Sequence, residues 1–156
     1  MKIAQEAIEI LYFDRDSGRG SKNWRRLFAA ETVNANGFTL VPVGRAKDMY
    51  DEKGATTLVE QKPYAAYIIQ YGSDGCYDVL TSILLAASER KERPKIGVIT
   101  PNGDLSIIDE IKEEASSLGV EALIQPLHCH PNGFFSDKDD AYALKGRETV
   151  MRMLKE

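Results

Sequence analysis

The chain is poor in cysteine, proline and tryptophan, and it carries no surplus of positive charge. Two cysteines, Cys76 and Cys129, among 156 residues are too few for a disulfide framework, and they read as free thiols of a reducing cytoplasm. No apolar run approaches the roughly 20 residues of a membrane span, and the N-terminus has no signal-peptide pattern. The expectation is therefore a cytoplasmic protein with no membrane partner. A formal charge of −4 gives no global attraction for nucleic acid, so RNA binding would need a local basic patch, or a basic surface from a second subunit or a protein partner. There is no internal repeat, low-complexity segment or linker long enough to split the chain. Residues 1–156 thus read as one domain, with 127–156 forming a C-terminal loop and helix that complete it.

The 43% apolar and 28% charged residues are arranged as alternating strands and helices. The clearest unit is Lys95 to Ile124: an apolar run at Ile96–Ile99, a polar turn with Asn102, Gly103 and Asp104, an amphipathic helix, and a second apolar run after Gly119. That is the strand–helix–strand repeat from which parallel sheets are built. Further strands are expected at Ile8–Phe13, Phe38–Val43 and Ala65–Tyr71, with Pro42 favouring an edge or a strand end. Helices are expected at 2–7 (a short lead-in), Trp24–Val33, Ala55–Gln61, Tyr77–Arg90 and Tyr142–Leu154. Asn36-Gly37 reads as a helix stop. The implied fold is a three-layer α/β/α sandwich around a mostly parallel central sheet.

In such a sheet the loops that follow strands share one edge. Three of these loops carry acids: Asp14 and Asp16, Asp74 and Asp78, and Asn102, Asp104 and Asp109. Hard divalent cations such as Mg²⁺ take oxygen ligands of this kind. Asp and Asn are also common simply because they suit turns and helix N-caps.

The order of elements and four short signatures over residues 7–126 resemble the NYN/PIN-like nuclease domain. Asp14-Arg15-Asp16-Ser17 is similar to the family's D-x-D-N motif at the end of the first strand. Asp78 opens a helix about two dozen residues before Thr100-Pro101-Asn102-Gly103-Asp104-Leu105, which is similar to S-G-D-x-D-F. The resemblance implies a PIN-like fold and metal-assisted hydrolysis of an RNA phosphodiester. Mg²⁺ or Mn²⁺ would be held by Asp14, Asp78 and Asp104, and Arg19, Lys22, Arg25 and Asn102 would meet the substrate, with Arg26 beside them and Trp24 either stacking on a base or packing inward. Asn102 stands where the family keeps an acid, and Ser17 where it keeps Asn, so the acidic site is depleted.

The same residues also resemble the haloacid dehalogenase-like phosphatases, with Asp14 as nucleophile, Asp16 as general acid/base, and Asp104 with Asp109 holding Mg²⁺. In that pattern Ser73 would close a middle strand, and Lys91 or Lys95 would bind phosphate. A non-catalytic interaction domain on the same fold is the third reading. Finally, His128-Cys129-His130-Pro131 followed by Ser136 and Asp139 is similar to the H-x-H-P…S-x-x-D signature of JAMM metallopeptidases. The alternative there is a structured loop of partly buried polar side chains closing the sheet.

Overall fold

Strand runs that are apolar along their whole length, rather than alternating, demand cover on both faces. IEILYFD, FTLVPVG, AYIIQ and KIGVITP come close to this, with consecutive buried residues over most of each strand. A computed structural model of the protein describes residues 8–14, 20–28, 37–44, 50–72 and 75–156, apart from the side chains of 20–22. The elements are β1 (Ile8–Asp14), α1 (Gly20–Leu27), β2 (Phe38–Gly44), β3 (Tyr50–Asp51), a 3₁₀ turn (Glu52–Gly54), α2 (Ala55–Gln61), β4 (Ala66–Gln70), α3 (Cys76–Arg90), β5 (Lys95–Pro101), α4 (Ser106–Ser117), β6 (Leu123–Cys129) and α5 (Ala141–Lys155).

The strands form one sheet in the order β3-β2-β1-β4-β5-β6, and every neighbouring pair is parallel. The sheet grows one way from β1 to β3 and the other way from β4 to β6. Crossovers between parallel strands keep one hand, so reversing the direction of growth moves the connecting helices to the opposite face. The two cores record this. Leu11, Phe13, Tyr67, Ile69, Ile96 and Val98 pack with α2, α3 and α4. Ile10, Tyr12, Ala66, Ile68 and Ile99 pack with α1 and α5. Alternate residues of β1 and β4 thus serve opposite cores, as the two-residue period of a strand requires. The result is a three-layer α/β/α sandwich.

Two strand prolines, Pro42 and Pro126, sit where a missing N–H is harmless. β3 pairs with β2 only at Val43 and Gly44, so at Pro42 the strand β2 has a neighbour on one side alone. In β6, the Leu123 N–H donates to the Pro94 carbonyl and the Cys129 carbonyl accepts from the Asn102 N–H. Odd-numbered residues therefore turn their backbone groups to β5 and even-numbered ones outward. Pro126 falls on the outward set and removes a donor from the open edge, which hinders a further strand from adding there.

Some expectations need correcting. The helix expected at Trp24–Val33 begins at Gly20, and its described part ends at Leu27; residues 29–36 and the lead-in at 2–7 lie outside the described residues. The final strand does not start at Gly119. Gly119 (φ +70°) ends α4, Val120 tucks into the first core, and β6 runs from Leu123 to Cys129. Pattern reading placed the strand too early because Val120 is apolar for the core, not for the sheet. The two-residue β3 carries too little pattern to be seen at all.

The helix α5 closes the second core against α1. Gly146 makes this possible, because a Cβ there would lie 2.8 Å from Leu27 Cδ1. One residue on, Arg147 Nη1 donates to the carbonyls of Arg26 (2.7 Å) and Leu27 (3.3 Å), and Nη2 donates to the Lys138 carbonyl (2.6 Å). These bonds satisfy carbonyls that the end of α1 leaves open. Gly146→Val is expected to cost about 1–3 kcal/mol through overpacking, read as a lowered Tm. Combined with Leu27→Ala, its cost should be less than the sum of the two single losses. Simple additivity would mean that these two positions do not meet.

Candidate functional site

Open parallel sheets bind ligands outside the carboxyl ends of their strands, where the strand order reverses. Here that place lies between β1 and β4, and Asp14 is the last residue of β1. Its side chain is fully buried. It leaves the strand on the α1/α5 side with Tyr12, whose hydroxyl donates to Asp14 Oδ2 at 3.5 Å. Burial pushes the Tyr12 phenol well above its ordinary value, and the adjacent Asp14 charge adds to that, so Tyr12 stays a neutral donor. An ionised carboxylate without solvent is costly unless partners or a cation compensate it.

The other residues singled out in the sequence are spread along the same edge. Asp104 follows β5 in a turn closed by its own N–H on the Pro101 carbonyl, with Gly103 at φ +90°. Its Oδ1 accepts from the N–H (3.2 Å) and the hydroxyl (2.8 Å) of Ser106, the first residue of α4. Asn102 is exposed, and its N–H extends the β5–β6 ladder. Asp78 is exposed in the first turn of α3. It lines a cleft of about 240 Å³ together with Phe13 and Lys53. Because Phe13 faces the α2–α4 core, Asp78 and Asp14 approach the edge from opposite faces of the sheet. Asp109 is exposed on α4. Asp16, Ser17, Arg19, Ser73 and Asp74 lie outside the described residues, as does the side chain of Lys22. Arg25 is exposed on α1 with its guanidinium 5.3 Å from the centre of the Trp24 ring. Trp24 itself packs inward against the second core, so of its two expected roles the structure places it in the packing one.

Sequence reasoning missed a buried polar bridge at this edge. Asn23 of α1 is fully buried. Its amide nitrogen donates to Gln70 Oε1 (2.8 Å) and to the Gly133 carbonyl (2.9 Å), and its Oδ1 accepts from the Phe135 N–H (3.0 Å). Gln70, at the end of β4, also donates to the Gly133 carbonyl (3.2 Å), and Arg26 donates to the Phe135 carbonyl. The loop after β6 is thereby drawn back across the sheet edge to α1, and Phe135 is sealed into the second core. A polar residue on the apolar stripe that leads to Leu27, and another closing an all-apolar strand, were the available signals.

The same loop gathers the histidine cluster. His130 Nε2 lies 2.6 Å from Asp140 Oδ2 and 3.1 Å from Ser136 Oγ, and its ring meets Tyr142 edge-on at 4.7 Å. Both contacts use one ring nitrogen, so His130 cannot relay a proton between Ser136 and Asp140 through the ring. Asp140, rather than Asp139, stands beside the histidine. Burial tends to raise the Asp140 carboxyl, but the Ser136 and Tyr142 N–H groups and His130 outweigh it and hold it below its ordinary value. Cys129 is fully buried, and its thiol is pushed up to about 11 by burial and by Asp140. His128 faces elsewhere, into a larger cavity of about 330 Å³ between β6 and α5, where its Nδ1 is buried without a hydrogen-bond partner.

Among the described residues no three His, Cys, Asp or Glu side chains lie together as an all-protein metal cage would need. Mg²⁺ rarely uses such a cage: it keeps several waters and takes one or two carboxylates plus substrate phosphate. Asp14 ends β1 and Asp104 follows β5, with β4 between these two strands. Compared with known proteins, the chain matches no family model, and no curated protein matches it.

Replacing Asn23 with Leu is expected to cost about 1–3 kcal/mol for each buried group left unpaired, measured as a lower urea midpoint. A loss within the scatter of surface substitutions would show that the bridge does not hold the loop. Asp140→Asn keeps the cap on α5 but removes the charge. A carboxyl held below its ordinary value stabilises the fold at neutral pH and loses that contribution as pH falls through its native value. The variant should therefore be less stable than the wild type at pH 7, and the gap should close in acid. A gap independent of pH would contradict this assignment.

Proposed function

We propose that the carboxyl edge of this sheet is a metal-dependent phosphodiesterase site acting on RNA, of the kind that NYN/PIN-like nucleases represent. The observation that carries the reading is Asp14, a fully buried carboxylate ending the central strand beside the reversal of strand order. Two further features support it: a second acid, Asp104, on the same edge, and a basic α1 that starts from the same loop region and carries Lys22, Arg25 and Arg26. Asp14 and Asp104 would hold Mg²⁺ or Mn²⁺. When bound, such a cation supplies Lewis-acid polarisation of a phosphoryl oxygen and a more acidic water.

The chain's own contribution is placement. The Tyr12 hydroxyl donates to one Asp14 oxygen, and the Ser106 N–H and hydroxyl donate to Asp104 Oδ1. Asn102 offers a neutral carbonyl oxygen where the resembling family has an acid, so the site carries one charge fewer and metal affinity should be correspondingly weak. Arg25, with Arg19 and Lys22, would meet the phosphate backbone, a contact that salt screens strongly.

The test is Mn²⁺-dependent cleavage of a single-stranded RNA, with a generic phosphomonoester run alongside. Cleavage is expected for the wild type, and Asp14→Asn should reduce kcat/KM by about a hundredfold or more, in line with a group that holds the metal. Asp104→Asn should reduce it less. No cleavage by a folded wild type would overturn the reading. So would an Asp14→Asn variant that cleaves at the wild-type rate.

A further inference from the structure

We infer that the cleft over Phe13 is a ribonucleotide pocket in which Lys53 takes a phosphate of the strand and Asp78 accepts a hydrogen bond from a ribose 2′-hydroxyl. The inference rests on the phosphodiesterase reading, but it gives Asp78 a role different from the metal ligand that the family resemblance implies.

The cleft holds about 240 Å³. It lies at the carboxyl edge of the sheet, between the 3₁₀ turn that follows β3 and the first turn of α3. Phe13 and Val79 are its apolar lining, and Glu52, Lys53, Thr56, Gly75 and Asp78 complete it. Its place beside the β1/β4 reversal is where open α/β sheets take their ligands.

The charges in the cleft are the telling feature. Lys53 and Asp78 line one small space with Glu52, which has a partner of its own, yet the Lys53 and Asp78 side chains make no ion pair with each other or with any other group among the described residues. Opposite charges that share a cleft without closing on each other leave room for a ligand that is anionic at one end and a hydrogen-bond donor at the other. A ribonucleotide unit has both: phosphate oxygens for an ammonium, and a hydroxyl for a carboxylate. A deoxyribonucleotide keeps the first and lacks the second, and the 2′-hydroxyl is the group by which a protein tells RNA from DNA.

Asp78 also approaches the edge from the α2–α4 face, while Asp14 leaves β1 on the other. In addition, Asp78 is exposed and Asp14 fully buried. That geometry suits a carboxylate contacting a nucleotide next to the reacting phosphate better than one sharing a cation with Asp14.

The experiment measures fluorescence anisotropy of a short labelled single-stranded oligoribonucleotide and of its all-deoxy counterpart, with Ca²⁺ as the cation so that the strand stays whole. The full chain is used as wild type, Asp78→Ala and Lys53→Gln. The wild type is expected to bind the RNA more tightly than the DNA. Asp78→Ala should weaken RNA binding about tenfold and leave DNA binding unchanged, the loss expected for one hydrogen bond to a charged group. Lys53→Gln should weaken both strands alike. Both side chains are exposed, so the variants should fold, and circular dichroism confirms it. Equal weakening of RNA and DNA by Asp78→Ala, no weakening by either variant, or no binding of either strand overturns the inference. Cleavage separates the two claims: if Asp78→Ala abolishes kcat on RNA as Asp14→Asn does, Asp78 is a metal-site residue and the pocket assignment fails while the phosphodiesterase reading stands. If the wild type binds with the expected preference but cuts nothing, the cleft stands and the phosphodiesterase reading fails.

Discussion

Everything at the carboxyl edge depends on the parallel pairing of β1 with both β2 and β4. A parallel pair cannot be joined by a tight turn, so each connection crosses a face of the sheet and returns all strands in one direction. Growth in two directions from the centre then sends α1 to one face and α2, α3 and α4 to the other, and it leaves a gap between the first connections on either side of β1. Residues from distant parts of the chain meet at that edge: Asn23 from α1, Gln70 from β4, and Gly133 from the loop after β6. Without the reversal of order there would be no place for these groups to converge.

The two faces of the edge differ in kind. On the α1/α5 side, Asn23, Gln70, the Gly133 carbonyl and the Phe135 N–H satisfy one another, and Tyr12 reaches Asp14. Buried polar groups are tolerated only when their bonds are made, and a network in this state fixes its members firmly. On the α2–α4 side lies an open cleft lined by Glu52, Lys53, Thr56 and Asp78. A bonded network on one face can hold position for an open cleft on the other, since functional groups need a supporting shell.

β1, β2, β4 and β5 were legible because each has a largely apolar, buried centre; Ala55–Gln61 and the long α3 and α5 needed no tertiary information. What pattern could not show was the meaning of isolated polar residues. Asp14, Asp78 and Asp104 look alike in sequence, yet one is buried, one lines a cleft and one accepts from Ser106 at the start of α4. Only the sheet's two-residue period, which assigns Tyr12 and Phe13 to opposite cores, separates the surroundings of Asp14 from those of Asp78. Asn23 and Gln70 were invisible as a pair, since 47 positions separate them. The loop after β6 reads as polar and irregular, and its cohesion comes from Asp140, which joins Ser136, Tyr142 and His130.

The central claim is that a divalent cation is held at the end of β1 by Asp14. Its most direct test is Mn²⁺ binding followed by electron paramagnetic resonance, with the wild-type chain compared with Asp14→Asn under conditions where both are folded. Loss of free Mn²⁺ signal on adding the wild type, with little or no loss on adding the variant, is the result expected here. Equal uptake by both chains, or none by the wild type, would contradict the claim.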